Sequence, residues 1–263
     1  MKKILWTLNI GNYAPEICSL TYPLMKKYAD KIGAEFRVID ERKFPEFPVT
    51  YEKLQLFELG RQSDWTLYVD SDAVIHPGFW DPCEHVPKDT VLHNANDFLP
   101  NRWTIDDYFR RDGRWVGSCN WFACASNWCL DLWRPLDDLT LAEAIANIHP
   151  TIHEAAQFIW RCQNKQCNYE VPTNENGELV GLCTACGQPR KRIEKQRITP
   201  DHLIDDYTLS RNIAKYGLKF TTVQAIQTKM NDRGFYLWHQ YTTTLEDKIK
   251  TTKEVLHSWG LDA

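Results

Sequence analysis

Apolar runs that alternate with amphipathic stretches over the N-terminal quarter of the chain constrain it most. Residues 3–10 read as a buried strand, Ile17, Leu20, Leu24 and Tyr28 recur at helical spacing, and residues 34–40 read as a second strand. Residues 51–59 are again helical and lead through a polar turn into the apolar run Trp65-Thr66-Leu67-Tyr68-Val69. Strand, helix, strand, helix, strand predicts an α/β fold on a mostly parallel sheet. Ligands of such sheets sit at the carboxyl ends of the strands, which is where Asn9, Asp40 and Asp70 fall.

Asp70-Ser71-Asp72 ends the third strand. Alternation along a strand turns both carboxylates to one side, where two hard oxygen ligands can hold Mg²⁺ or Mn²⁺ against a diphosphate. An isolated D-x-D is also a common surface-loop pattern. The order here is a helix carrying Lys53, the strand, Asp70-Ser71-Asp72 and Ala73-Val74-Ile75. That order resembles the donor-binding half of GT-A fold glycosyltransferases. The resemblance implies a Rossmann-like sheet, a nucleotide-sugar donor (a UDP-sugar being favoured), and donor contacts at Asn9, Asp40, Lys53, Asp70 and Asp72.

Residues 204–217 begin Ile204-Asp205-Asp206-Tyr207 and end Tyr216-Gly217. They resemble the x-E-D motif of inverting GT-A enzymes, an acidic pair opening a helix. By that resemblance Asp206 is the general base that deprotonates the acceptor hydroxyl. Asp205 stands where glutamate is more usual, which leaves open which of the pair is the base. The residue types alone better describe an acidic helix start favoured by the helix dipole, and it is their position relative to Asp70-Ser71-Asp72 that favours catalysis. Residues 117–128 resemble the central GT-A strand, leading into a helix through Leu130 and Trp133, and place Gly117 near the transferred sugar. Arg110, Arg111 and Arg114 precede it, either as contacts to a diphosphate or acceptor phosphate or as a solvated loop. His239, among the aromatics of residues 235–241, matches the late histidine that completes the metal site in many GT-A enzymes. Packing in a core is its other reading. No Q-x-x-R-W follows the acidic pair, so transfer of a single sugar is expected rather than processive synthesis. The resemblance covers residues 1–135 and 200–240.

An insertion carries a second motif. Cys162-x4-Cys167, fifteen residues, then Cys183-x2-Cys186 forms two cysteine knuckles. A hairpin from residues 169–171 and 178–180 would join them into a tetrahedral thiolate site for structural Zn²⁺, a zinc ribbon; two disulfides are the competing reading. Helices are expected within residues 135–148 and, from the capping-box spacing of Thr151 and Glu154, from 151 to Trp160. The expected organisation is therefore a nucleotide-sugar half at 1–135, a helical connector at 136–161, the ribbon with a basic tail at 162–198, and an acceptor and catalytic half at 199–263. Residues 190–197 hold five basic side chains against one glutamate. Arg190, Lys191 and Arg192 open this run, a candidate contact to acceptor phosphates unless the ribbon only braces the acidic-pair loop.

The formal charge of −4 argues against broad coating of DNA but not against a focal basic face. The chain enters its first strand without a signal-peptide pattern and has no apolar run long enough to span a bilayer, so a soluble cytoplasmic protein is expected. Of nine cysteines, Cys18, Cys83, Cys119, Cys124 and Cys129 are expected to be reduced core residues. Trp103, Trp115 and Trp238, among eleven tryptophans, are candidates for a stacking wall, with core packing the ordinary role. Together these readings predict a metal-dependent glycosyltransferase. The leading acceptor is 5-hydroxymethylcytosine in DNA, flipped from the stack as a DNA-base glycosyltransferase of the bacterial-virus type would require. Glycan, lipid-linked or protein acceptors are the alternatives, as is a non-catalytic, zinc-ribbon nucleic-acid-binding protein on the same scaffold.

Overall fold

The computed structural model describes residues 1–94, 121–148, 158–163, 170–173, 182–183, 185–194, 199–239 and 244–261. Its centre is a six-stranded sheet of β1 (Lys3–Leu8), β2 (Ala34–Ile39), β3 (Trp65–Val69), β5 (Thr90–His93), β6 (Phe122–Ser126) and β10 (Lys219–Thr222), in the order β10-β5-β6-β3-β1-β2. The pairs β1–β2, β1–β3 and β5–β10 are parallel, whereas β6 runs antiparallel to both β3 and β5. Five strands thus share one direction, and the chain has the expected α/β fold with a mostly parallel sheet. β1 and β3 are buried at every position, as strands covered on both faces must be.

Two apolar layers enclose the sheet. Helix α1 (Pro15–Ile32) buries Ile17, Leu24, Met25 and Tyr28 and ends on Gly33, whose φ of 66° permits the left-handed cap. The layer on this side contains Leu5, Leu67, Phe79 and Phe122, with the Phe79 and Phe122 rings 5.6 Å apart edge to face. The opposite layer gathers Ile4, Tyr68, Leu132, Trp133 and Tyr207.

Residues 51–59 are more tightly wound than expected: Val49–Gln55 is a 3₁₀ helix, and only the turn Leu56–Leu59, α2, is α-helical. Short α3 (Pro82–His85) follows β4 (Val74–Ile75). Leu130–Trp133 is likewise a short 3₁₀ helix, not an α-helix. The helix expected within 135–148 is confined to α4 (Leu141–Asn147) and begins at a capping box that the sequence reading placed only further on: Glu143 N–H donates to Thr140 Oγ1 at 3.3 Å and Thr140 N–H to Glu143 Oε2 at 2.8 Å. Helix α5 (Ile204–Lys215) docks on this region through Asn212 Nδ2, which donates to the Leu132 and Arg134 carbonyls at 3.1 and 2.8 Å.

The expectation of a helix running to Trp160 is corrected. Phe158–Cys162 is strand β7, the middle of a three-stranded antiparallel sheet with β8 (Glu170–Thr173) and β9 (Arg190–Glu194). Phe158, Ile159 and Trp160 are strand-favouring residue types, and pairing on both sides outweighs the local helix signal. Residues 164–169 and 174–180, with the second half of the expected hairpin, lie outside the described residues. The remaining elements are α6 (Val223–Met230), β11 (Leu237–Trp238) and α7 (Leu245–Ser258). Among the described residues, no helix is long and apolar enough to cross a membrane.

Phe122 sits at the sheet centre with no exposed surface. Phe122→Ala is expected to cost about 3–5 kcal/mol in chemical denaturation, through lost transfer energy and the cavity left against Phe79.

Candidate active site and cysteine cluster

The chain turns sharply after β3. Asp70 N–H donates to the Trp121 carbonyl at 2.8 Å, and Ala73 N–H donates to the Asp70 carbonyl at 3.0 Å. Ser71 lies buried at the turn's apex, and Thr21 Oγ1 of α1 donates to its carbonyl at 2.6 Å. Both carboxylates are therefore presented by backbone held from two sides. β11 pairs antiparallel with β4, with Trp238 opposite Val74, and this register delivers His239 to the same turn. His239 Nε2 lies 3.3 Å from Asp72 Oδ1 and 4.0 Å from Asp70 Oδ2. The Trp121 ring stacks on the imidazole at 5.3 Å between centroids and 15° between planes.

One ligand atom each from Asp70, Asp72 and His239 fall within 4.8 Å of one another. Two carboxylate oxygens and an imidazole nitrogen suit a Mn²⁺-class or Mg²⁺-class ion that takes further oxygens from water or a ligand. The three residues named from sequence are thus brought together. Two neighbours were not named. Lys248 of α7 donates to Asp72 Oδ2 at 2.6 Å and to the Tyr13 hydroxyl at 3.1 Å, and that hydroxyl lies 3.4 Å from Asp72 Oδ2. Burial works to raise the Asp72 carboxyl pKa, but His239 and Lys248 beside it hold it well below the ordinary range. Nothing local in the sequence distinguishes Lys248 from the other lysines of α7.

A buried ion pair joins this turn to the acidic helix start. Lys53 Nζ lies 2.7 Å from Asp205 Oδ2 and 3.6 Å from Asp70 Oδ1, over the Tyr68 ring. The Tyr68 hydroxyl in turn donates to Asp70 Oδ1 at 2.5 Å. Thr50 Oγ1 donates to Asp205 Oδ1 at 3.2 Å. Burial opposes the charge on Lys53, yet Asp205 and Asp70 hold its pKa well above the ordinary lysine value. Burial likewise pushes the Asp205 carboxyl upward against the pull of Lys53, with Asp206 adding to the rise. The contact at 2.7 Å is that of an ionised pair in which the lysine is the firmer member. Asp205 is buried, whereas Asp206 in the same helical turn is half-buried.

Asn9 does not point a free amide at this site. Its Nδ2 donates to the Tyr22 hydroxyl at 2.9 Å and its Oδ1 accepts from Tyr13 N–H at 2.6 Å. It therefore shapes the turn that carries Tyr13, where Gly11, Asn12 and Ala14 all adopt positive φ. Asp40 is exposed just past β2. Trp238 packs with Leu24, Val74 and Leu256, so it belongs to a small core and not to a stacking wall. Arg110, Arg111, Arg114, Gly117, Trp103 and Trp115 lie outside the described residues.

Cys162, Cys183 and Cys186 form a second cluster, with their sulfurs within 4.8 Å and the Cys162 and Cys186 Sγ atoms 3.4 Å apart. Gly187 N–H donates to the Cys183 carbonyl and Cys183 N–H to the Gln188 carbonyl, both at 2.7 Å, which folds the knuckle. Gln163 N–H donates to the Pro189 carbonyl at 2.9 Å and sets the end of β7 beside it. Converging thiols suit Zn²⁺; Cys167, the expected fourth ligand, lies outside the described residues. The basic run divides on β9, because a strand turns Arg190 and Arg192 to one face and Lys191 to the other. The Arg192 guanidinium covers the Phe158 ring at 3.9 Å.

Lys53→Met leaves Asp205 buried beside Asp206 without its counter-ion and is expected to cost about 3–5 kcal/mol at neutral pH. A carboxyl raised by folding destabilises only when ionised, so the deficit should shrink as pH falls through its pKa, which urea denaturation at several pH values would read. Metal analysis after dialysis should find zinc in the wild-type protein, and Cys183→Ser with Cys186→Ser should release it.

The sequence matches no protein-family model, and no curated protein matches it. Among solved structures, the chain is similar to a glycosyltransferase involved in the glycosylation of the major capsid of PBCV-1, at 8% identity and a TM-score of 0.48, over 97% of this chain and 100% of that one. It is also similar to the galactosyltransferase LgtC in complex with donor and acceptor sugar analogs, at 14% identity and a TM-score of 0.34, over 47% of this chain and 58% of that one. An active-site mutant of LgtC is similar at 15% identity and a TM-score of 0.32, over 51% and 59% of the two chains.

Proposed function

We propose that this protein is a divalent-metal-dependent glycosyltransferase that moves one sugar from a nucleotide-sugar to an acceptor hydroxyl with inversion. The observation that carries this reading is the convergence of Asp70, Asp72 and His239 at the carboxyl end of β3, joined through Lys53 to the acidic start of α5. Asp70, Asp72 and His239 would hold Mn²⁺ or Mg²⁺. Bound there, the ion would supply positive charge for a departing diphosphate.

The remaining roles belong to the chain's own side chains. Asp206 takes the acceptor proton as the acceptor oxygen bonds to the anomeric carbon and the bond to the diphosphate breaks. Asp205 is less suited to that task, since Lys53 and Thr50 occupy its oxygens. A carboxylate in the first turn of a helix is held in place for such a transfer. Lys53 orients Asp70 and Asp205 as their shared counter-ion.

Residues 162–198 serve in this reading as a zinc-stabilised module facing the acceptor, with Lys191 exposed on β9 and available to a phosphate. The leading acceptor is 5-hydroxymethylcytosine in DNA. The test is nucleoside mass spectrometry after incubating the protein, Mn²⁺ and a pool of nucleotide sugars with hydroxymethylated or unmodified DNA. A hexose-sized or pentose-sized gain on the hydroxymethylated base alone supports the full proposal. Release of nucleoside diphosphate without that gain keeps the glycosyltransferase and transfers the search to glycan, lipid-linked and protein acceptors. Absence of release from every donor overturns it. Asp72→Ala should abolish both donor hydrolysis and transfer, whereas Asp206→Asn should slow transfer by about 10²–10⁴-fold with donor binding retained.

A further inference from the structure

Asp72 already has a cation within the protein. Lys248 Nζ sits 2.6 Å from Asp72 Oδ2, and its side chain keeps only 19% of its surface exposed. The Tyr13 hydroxyl also accepts from the ammonium, at 3.1 Å. An ion of the Mn²⁺ or Mg²⁺ class ligated by the same carboxylate would stand about 2 Å from its oxygen. Two positive centres would then share one carboxylate within a few ångströms, in surroundings less polar than water, where like charges repel strongly.

We propose that Lys248 is a built-in competitor of the divalent ion: the ion enters the Asp70–Asp72–His239 cluster only as Lys248 leaves Asp72. The inference rests on the reading of that cluster as a divalent-metal site. It adds that metal affinity is set by a residue that is not a ligand, and that metal entry is coupled to the seating of α7.

The way α7 is held fits this role. Its anchorage is a small apolar contact in which Leu256 packs with Leu24 and Val74, flanked by Leu20, Trp238 and Trp259. Lys248 lies near the opposite end of the helix from Leu256, and the ammonium tethers that end to the metal-site turn. A lysine on a four-carbon stem can leave by rotating its side chain into adjacent solvent, without unfolding of the helix. On the other Asp72 oxygen, Oδ1, the neighbour is His239, with Nε2 at 3.3 Å.

The test is Mn²⁺ binding to the full chain by calorimetry, with the loss of the free-ion magnetic resonance signal as a second reading, for the wild type, Lys248→Met, Lys248→Gln and Lys248→Arg. Both neutral variants should bind Mn²⁺ at least about tenfold more tightly than the wild type, and the arginine variant should stay near it. In chelator the neutral variants should melt below the wild type, and saturating Mn²⁺ should close that gap, because the ion then supplies the charge that Lys248 supplied. Circular dichroism identifies a variant that fails to fold, and having two neutral variants keeps the comparison available. Equal or weaker Mn²⁺ binding by the folded neutral variants, alongside clear binding by the wild type, overturns the competitor role alone. Absence of Mn²⁺ binding by every protein, or binding undiminished in Asp72→Ala, overturns the metal site and the inference with it.

Discussion

A single buried ammonium holds the proposed catalytic centre together. Asp70 and Asp205 come from parts of the chain far apart in sequence, and neither carboxylate is stable near the other in a low-dielectric interior without a shared counter-ion. Lys53 supplies it, at 3.6 Å from one and 2.7 Å from the other. Its position depends on the 3₁₀ winding of Val49–Gln55, which buries Tyr51, Glu52, Lys53 and Leu54 together. Glu52 pins that segment in turn, accepting from Arg42 Nε at 2.6 Å and from the Lys43 and Phe44 amides at 2.9 and 3.0 Å. A segment that reads as an ordinary amphipathic helix is thus a fitted connector between charged groups.

The centre is an alternation of charge. Asp70, Asp72 and Asp205 supply the negative side, with Lys53 and Lys248 opposing them and His239 beside the first two. Such an arrangement holds the carboxylates in place at the end of a sheet whose central strands β1 and β3 are buried at every position. The cysteine cluster follows different chemistry. Soft sulfur donors gather at the end of β7 and the knuckle that precedes β9, while hard oxygen donors and an imidazole gather at the end of β3, so the two clusters would suit different classes of ion.

Several parts of this arrangement were legible in the residues. The D-x-D at the end of an apolar run, the acidic pair opening a helix and the paired cysteines are local patterns, and local patterns report which side of a strand or which end of a helix a side chain occupies. The misreadings have equally local causes. Thr151 and Glu154 have capping spacing, but a strand paired on both sides at Phe158–Cys162 overrides it further along. Leu130–Trp133 has helical apolar spacing but closes as a short 3₁₀ helix against α5. A run of basic residues reads as one patch, yet on a strand it divides between two faces.

The sequence by itself determined the α/β alternation and the identity of the oxygen, nitrogen and sulfur donors, because both are written in spacings of a few residues. Only the tertiary structure decided that His239 reaches the carboxylates, since that follows from the register of β11 on β4. It alone decided that Asp205 is the carboxylate engaged by Lys53, and that Lys248 and Tyr13 close the far side of Asp72. The physical reason is the same in each case: a lysine or tyrosine carries no local mark of its partner, and its pairing is set by how helices pack on the sheet.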